Sequence, residues 1–293
     1  MNATLPPQIR DAFKARPIGA DKYSVGTVAV VGGSSRFANA PVMAGLGARV
    51  AGAGLVSLVV PPESRFAAGA ILPEAMFANL EPGCPPPRAD ITVIGMGLGV
   101  SDASEQTISH MLSGQGSRFV LDADALSILA GWQRRLDSFA AAGGKELVLT
   151  PHEGEAARLL NISRETVAAD RLGAAREIAA RYSATVVLKG PRTLVVSPDG
   201  ERVYENPTGN PFMALGGMGD LLAGMIGARW AYLKGDPFEA AASAVWLHGA
   251  ASDRVVAAVR DPSILNTAAE AGALRVLLDG GEGKELNMNQ EIP

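Results

Sequence analysis

Six short runs of aliphatic and β-branched residues, each ending at glycine, proline or a polar strand-to-helix turn, constrain this chain more than any other feature. They are VGTVAVVGG (25–33), LVSLVVP (55–61), ADITVIGMGLG (89–99), RFVLDADAL (118–126), ELVLTPHEGE (146–155) and ATVVLKG (184–190). Apolar residues occupy both faces of each run, which is the demand of a parallel strand covered by helices on two sides. Segments of helical apolar spacing lie between them, at 38–53, 102–114, 123–131, 153–160 and 164–182. The alternation predicts an α/β fold with a doubly wound, mostly parallel sheet flanked by helices.

Two stretches depart from that rhythm. In RTLVVSPDGERVYEN (192–206), β-rich runs flank Pro198-Asp199-Gly200, which predicts an antiparallel hairpin beside the sheet's edge. Past Asn210 the spacing is helical to 280, interrupted at Gly235-Asp236-Pro237 and Asp261-Pro262-Ser263, so three C-terminal helices are expected. No linker divides the chain; one domain over 1–280 and a frayed polar tail over 281–293 are expected.

Composition removes several function classes. With 47% hydrophobic and 19% charged residues the chain can bury a large core and is not generally disordered. Its 26 basic and 30 acidic residues give a net charge of -4, which argues against a general nucleic-acid binder. Cys84 is the single cysteine, so neither an internal disulfide nor a thiolate metal site is possible, and a reducing compartment suits it. MNATLPPQIRDAFKARP lacks the apolar stretch of a secretory signal, and no apolar run reaches the ~18 residues of a spanning helix. The expectation is a soluble cytoplasmic protein with no membrane partner.

The strongest chemical signal is ALGGMGDLLAGMIGA (214–228). Gly216, Gly217 and Gly219 allow main-chain N–H groups to approach an anion at the start of a helix, where the dipole also favours negative charge. Asp220 beside such a phosphate cradle is placed to act as a general base on a hydroxyl that attacks a nucleotide's terminal phosphate. The plainer alternative is an acid that complements the helix dipole, and local sequence leaves both open. In LTPHEGE, His152 and Glu155 follow a strand's carboxyl end, where α/β proteins bind ligands. Glu155 could hold Mg²⁺ through water and His152 could hydrogen-bond a substrate or phosphate; the alternative is Pro151 at the first helical position with glutamates complementing the dipole. Asp122 and Asp124 follow another strand, one to reach metal or substrate and the other to cap the next helix. Lys189 ends a strand where an ammonium could meet phosphate charge, although a solvated lysine is commoner. GGSSRFANAP (32–41) and GMGLG (95–99) do not match the dinucleotide fingerprint and read as backbone walls of a pocket.

Taken in order, VVGGSSRFANAPVMAGLGARVAGAGLV, VIGMGLG, VLDADAL, LTPHEGEAARL, VVLKGPRT, NPTGNPFMALGGMGDLLAGMI and AVWLHGAASD resemble the ADP- or ATP-dependent NAD(P)H-hydrate dehydratases of the ribokinase-like superfamily. The resemblance runs along most of the chain, and with some 20 residues before the first strand it is to the stand-alone form. It implies a ribokinase-like fold and a metabolite-repair activity that dehydrates the S form of NAD(P)H-hydrate. It also implies Mg²⁺, ADP or ATP as phosphoryl donor, and a homo-oligomer. By the same resemblance, nucleotide contacts fall on Lys189, Gly190, Pro191, Arg192, Thr193 and Gly219, and substrate contacts on Ala40, Gly97, His152, Asn210 and Asp220. Catalysis falls on Asp220 with Gly217 and Gly219, and Glu155 takes the place of the glutamate in the N-x-x-E motif of sugar and vitamin kinases, with His152 replacing the Asn. A small-molecule kinase of the same superfamily and a non-catalytic nucleotide sensor are the competing readings.

Overall fold

The structure, a computed structural model, describes residues 6–13, 16–82, 84, 88–114, 118–132 and 145–258. Each of the six β-branched runs forms a strand, and three more join them in one sheet: β1 Thr27–Val31, β2 Leu55–Val60, β3 Met76–Asn79, β4 Ile91–Ile94, β5 Arg118–Leu121, β6 Glu146–Leu149, β7 Thr185–Leu188, β8 Leu194–Val196 and β9 Val203–Glu205. Their spatial order is β3-β2-β1-β4-β5-β6-β7-β8-β9. From β3 to β7 every pairing is parallel; β8 and β9 are antiparallel, so the expected hairpin extends the sheet at one edge.

The described helices are α1 Ala40–Val50, α2 Pro62–Ile71, α3 Asp102–Ser113, α4 Asp124–Gly131, α5 Glu153–Leu160, α6 Arg164–Ala169, α7 Arg171–Tyr182, α8 Met218–Leu233 and α9 Pro237–Ala258. They cover the sheet on both sides. Val28, Val30, Leu58, Val93 and Val120 face a core built with α1, α8 and α9, while Val31, Ile94, Phe119, Leu121 and Leu149 face a second core built with α3, α4, α5 and α7. This is why the inner strands are apolar on both faces: β4 and β7 are buried at every position.

Two features differ from the expectation. The edge strand β3, MFAN, is mostly exposed, so it lacks the buried apolar signature that marked the others. The helical stretch 164–182 is two helices, because Asp170 accepts the Gly173 N–H at 2.8 Å and starts α7 afresh. The third C-terminal helix and the tail over 281–293 lie outside the described residues.

Close packing of α1 on α8 fixes the position of the glycine-rich helix. A Cβ on Gly47 would stand 2.0 Å from the Leu221 carbonyl oxygen, and one on Gly224 would stand 1.8 Å from that of Ala44. The two backbones meet directly, with no side chain able to intervene. Between β1 and β4 the strand order reverses, and in open α/β sheets the crevice at such a switch point is where ligands bind.

Candidate active site

The residues singled out in the sequence lie along the carboxyl edge of the sheet. At the switch point, the loops after β1 and β4 touch: a Cβ on Gly97 would press on the Phe37 Cβ at 2.7 Å and lie 3.1 Å from that of Ala40. Gly97 also has φ +66, so a larger residue there would be both strained and obstructed. Ala40 and Gly97, from separate blocks, thus form one corner of the crevice. Asp124 braces it from below, accepting the Gly99 N–H at 2.7 Å. The helix that Asp124 opens has Ala123 as its cap and no side-chain cap bond, so Asp124 serves the neighbouring loop instead of its own helix.

Further along the edge, the ends of β5, β6 and β7 converge. Asp122 is buried, accepts the Thr150 hydroxyl at 2.7 Å, and pairs with the Lys189 ammonium at 2.6 Å. Lys189 lies 3.7 Å from Glu155, and its main-chain N–H donates to the Pro151 carbonyl at 2.8 Å. Burial opposes its charge, but Asp122 and Glu155 outweigh that and hold its pKa above the ordinary lysine value. The solvated lysine is therefore not what forms.

His152, not Pro151, is the residue that caps α5. Its Nδ1 accepts the N–H groups of Gly154 at 2.9 Å and Glu155 at 3.2 Å, while Glu155 accepts the His152 N–H at 2.8 Å, closing a capping box. Pro151 thus stands just before the cap, outside the helix, and the alternative reading that put it at the first helical position is corrected. An accepting Nδ1 leaves the proton on Nε2, and burial, ahead of the nearby charges, lowers the imidazole pKa, so the neutral ring presents an N–H to the site. Glu155 Oε1 is 3.4 Å from that Nε2.

Gly217 caps α8 with φ +91 and makes no side-chain cap bond, so the first turn begins on bare main chain. Gly219, in that turn, is close to Lys189: a Cβ there would stand 3.5 Å from the ammonium nitrogen. Asp220 completes the turn. Burial, followed by the charge of Asp122 and opposed by Lys189, pushes its carboxyl up to about 7, so near neutrality it exchanges between acid and base. Both readings of Asp220 are compatible with its place in the helix, but a surface capping acid would not carry this shift.

The remaining residues hold loops. Asn210 accepts the Phe212 N–H at 3.1 Å and donates to Ser252 at 3.1 Å and Asp253 at 2.9 Å, so its amide ties the loop before α8 to α9. Asp253 also accepts the Gly209 N–H at 2.9 Å. In the turn from β7 to β8, Gly190 has φ +142 and Arg192 φ +54, the exposed Arg192 side chain pairs with Glu205, and the Thr193 hydroxyl donates to the Gly190 carbonyl at 3.0 Å. Sequence reasoning missed Thr150 and Asp253. A lone threonine at a strand end carries no signal, whereas Asp253 stands inside a block already singled out, AVWLHGAASD.

A sheet of this order, with a glycine-rich helix start and an acid in its first turn at the carboxyl edge, defines a ribokinase-like α/β protein. A solved ribokinase-like superfamily protein from Enterococcus faecalis superposes with a TM-score of 0.76 at 26% identity, covering 96% of this chain and 99% of that one. A family model described as NAD(P)H-hydrate dehydratase matches residues 28–270, and the chain belongs to that family. It is 44% identical over 246 residues to the ADP-dependent (S)-NAD(P)H-hydrate dehydratase of Neisseria meningitidis, covering 82% of this chain and 81% of that protein. To the bifunctional NAD(P)H-hydrate repair enzyme of Gloeobacter violaceus it is 40% identical over 274 residues, 90% of this chain but only 51% of that protein, so it spans about half of the bifunctional relative. The ADP/ATP-dependent NAD(P)H-hydrate dehydratase of Bacillus subtilis, co-crystallised with ATP and Mg²⁺, superposes with a TM-score of 0.79 at 27% identity, covering 91% and 93% of the two chains.

Proposed function

We propose that this protein is a repair enzyme that dehydrates the S form of hydrated NADH or NADPH, using ADP or ATP as phosphoryl donor. The observation that carries the reading is the placing of the Asp220 carboxyl in the first turn of α8, beside a glycine turn and the Lys189 ammonium, where burial raises its pKa. The chemical difficulty is a poor leaving group, since hydroxide departs slowly from C6 of the reduced nicotinamide ring. Asp220 takes the C6 hydroxyl proton as that oxygen attacks the nucleotide's terminal phosphorus and the bond to the bridging oxygen breaks, leaving the shortened nucleotide. The N–H groups from Gly217 to Gly219 receive the charge of the transferred group, and Lys189 neutralises it from one side. Phosphate then leaves C6, expelled by the ring nitrogen's lone pair, and loss of the C5 proton restores the double bond.

Ala40 and Gly97 shape the corner that receives the coenzyme, and His152 offers its Nε2 proton to it. Lys189, Gly190, Pro191, Arg192 and Thr193, with Gly219, make the nucleotide's side of the site, and Asn210 acts on substrate through the loop it fixes. Among the described residues no three His, Cys, Asp or Glu side chains converge as a closed metal set. Mg²⁺ would be held mainly by phosphates and waters with one or two carboxylates, here Glu155 through water. When bound with the nucleotide, Mg²⁺ supplies neutralisation of phosphate charge. No helix among the described residues is long and apolar enough to cross a membrane; a cytoplasmic place and a closed homo-oligomer complete the reading.

The test supplies hydrated NADH, Mg²⁺ and ADP or ATP and follows the near-ultraviolet absorbance of intact dihydronicotinamide. Nucleotide-dependent recovery with no accumulating ester supports the dehydratase. A stable phosphate ester of another alcohol would show a kinase instead, and absence of any nucleotide-dependent turnover would favour a sensor.

A further inference from the structure

We infer that Arg171 is a positioning residue that turns the 189–193 loop into a nucleotide-binding surface, an inference that rests on the nucleotide role proposed for that loop. Arg171 opens α7, away from the crevice, and its sequence context gives no hint of a role. Its guanidinium reaches the β7–β8 turn and donates to three carbonyls there: Leu188 and Lys189, each at 3.2 Å, and Pro191. The Gly190 carbonyl is taken by Thr193. Four successive carbonyls, from 188 to 191, are therefore held.

The consequence follows from peptide geometry. In a planar trans peptide the C=O of one residue and the N–H of the next point in opposite directions. Fixing the Lys189 carbonyl on Arg171 turns the Gly190 N–H to the other side of the loop, and fixing that of Pro191 does the same for the Arg192 N–H. Pro191 itself has no N–H to present. Lys189 donates its own N–H to Pro151, which leaves its side chain to run toward Asp122 and Gly219. One planar fork thus sets the direction of two main-chain donors.

The fork also fits no other residue here. Gly190 approaches it so closely that a Cβ would stand 2.9 Å from Nη2, and the Gly190 φ of +142 is open to glycine. Arg171 Nε is buried and makes no hydrogen bond, with Glu153 at 3.7 Å supplying the counter-charge. Glu153 directly follows His152, so the charge that balances the nucleotide loop is anchored on the helix that faces the coenzyme. A lysine at 171 would keep the charge near Glu153 but could not span three carbonyls from one point.

The experiment measures ADP binding by calorimetry, together with kcat and KM for ADP, on the full chain and on Arg171→Lys. The expected result is a rise of about tenfold or more in both the ADP dissociation constant and KM, the loss of one or two good hydrogen bonds' worth of order, with kcat at saturating ADP within about threefold. Arg171→Ala should show the same weakening and recover affinity on addition of millimolar guanidinium, which a general loss of structure would not do. Unchanged ADP affinity in Arg171→Lys, or a fall in kcat with KM unaltered, overturns the inference while leaving the proposed function standing. An unmutated protein that binds neither ADP nor ATP refutes the nucleotide reading of the loop itself.

Discussion

Replacing Asp220 by asparagine should make the protein more stable and nearly inactive, with the stability gain depending on pH in a defined way. The folded carboxyl titrates at about 7 against an ordinary 3.8, mainly because burial disfavours its charge. A raised folded pKa means that the native state keeps a proton the unfolded chain has lost. Its stabilising contribution is complete below about 3.8, declines as pH rises through the interval, and is gone above about 7. Over some three pH units, at 1.36 kcal/mol each, the ionised aspartate costs roughly 4 kcal/mol, or about 2–4 after allowance for its partial access to solvent. Asparagine is neutral at every pH and escapes that cost. Thermal unfolding of both proteins from pH 4 to pH 9 should therefore show little difference at pH 4, a gap that widens to pH 7, and a plateau above it. In a chain of this size the plateau corresponds to a Tm several degrees higher for the variant. A gap independent of pH, or a variant less stable at pH 8, would show that the carboxylate is well solvated and refute the reasoning.

Lys189→Met removes the cation that lowers the Asp220 pKa, so the acid limb of the rate profile should move to higher pH and kcat at pH 7 should fall at least about tenfold; an unmoved limb would contradict the coupling. His152→Asn should keep α5 intact, since asparagine also caps helices, with stability changed by under about 1 kcal/mol, while KM for the hydrated coenzyme rises because the Nε2 proton is gone; denaturant unfolding and steady-state kinetics separate the two effects. Gly47→Val forces side-chain atoms into the α1–α8 crossing and should destabilise by at least about 1–3 kcal/mol, read from urea unfolding midpoints.

Six of the nine strands were legible because a parallel strand buried on both faces has few polar positions to obscure it, and the β8–β9 hairpin was legible through its Pro198-Asp199-Gly200 turn. β3 was not, since an exposed edge strand with sequence MFAN needs only backbone pairing to β2. The break at Asp170 was hidden for the opposite reason: the apolar spacing continues across it, and only the side-chain bond to Gly173 restarts the helix. At the site, the glycine-rich start of α8 and the LTPHEGE block announced themselves through local composition. The pairing of Asp122 with Lys189 joins residues 67 apart in the chain, and no local pattern marks such a contact. Arg171 was invisible for the same reason, because its partners are main-chain oxygens, which every residue type supplies.

The proposed reaction turns on Asp220 acting as a base of near-neutral pKa, and the rate of recovery of hydrated NADH at saturating Mg²⁺ and ADP, measured from pH 5 to pH 9, addresses that point without intermediary. The rate should climb about tenfold per pH unit below 7 and level off above it, and Asp220→Asn should lose at least about a hundredfold on the plateau with no limb near 7. A flat profile in the unmutated enzyme, or an asparagine variant that turns over at the same rate, would contradict it.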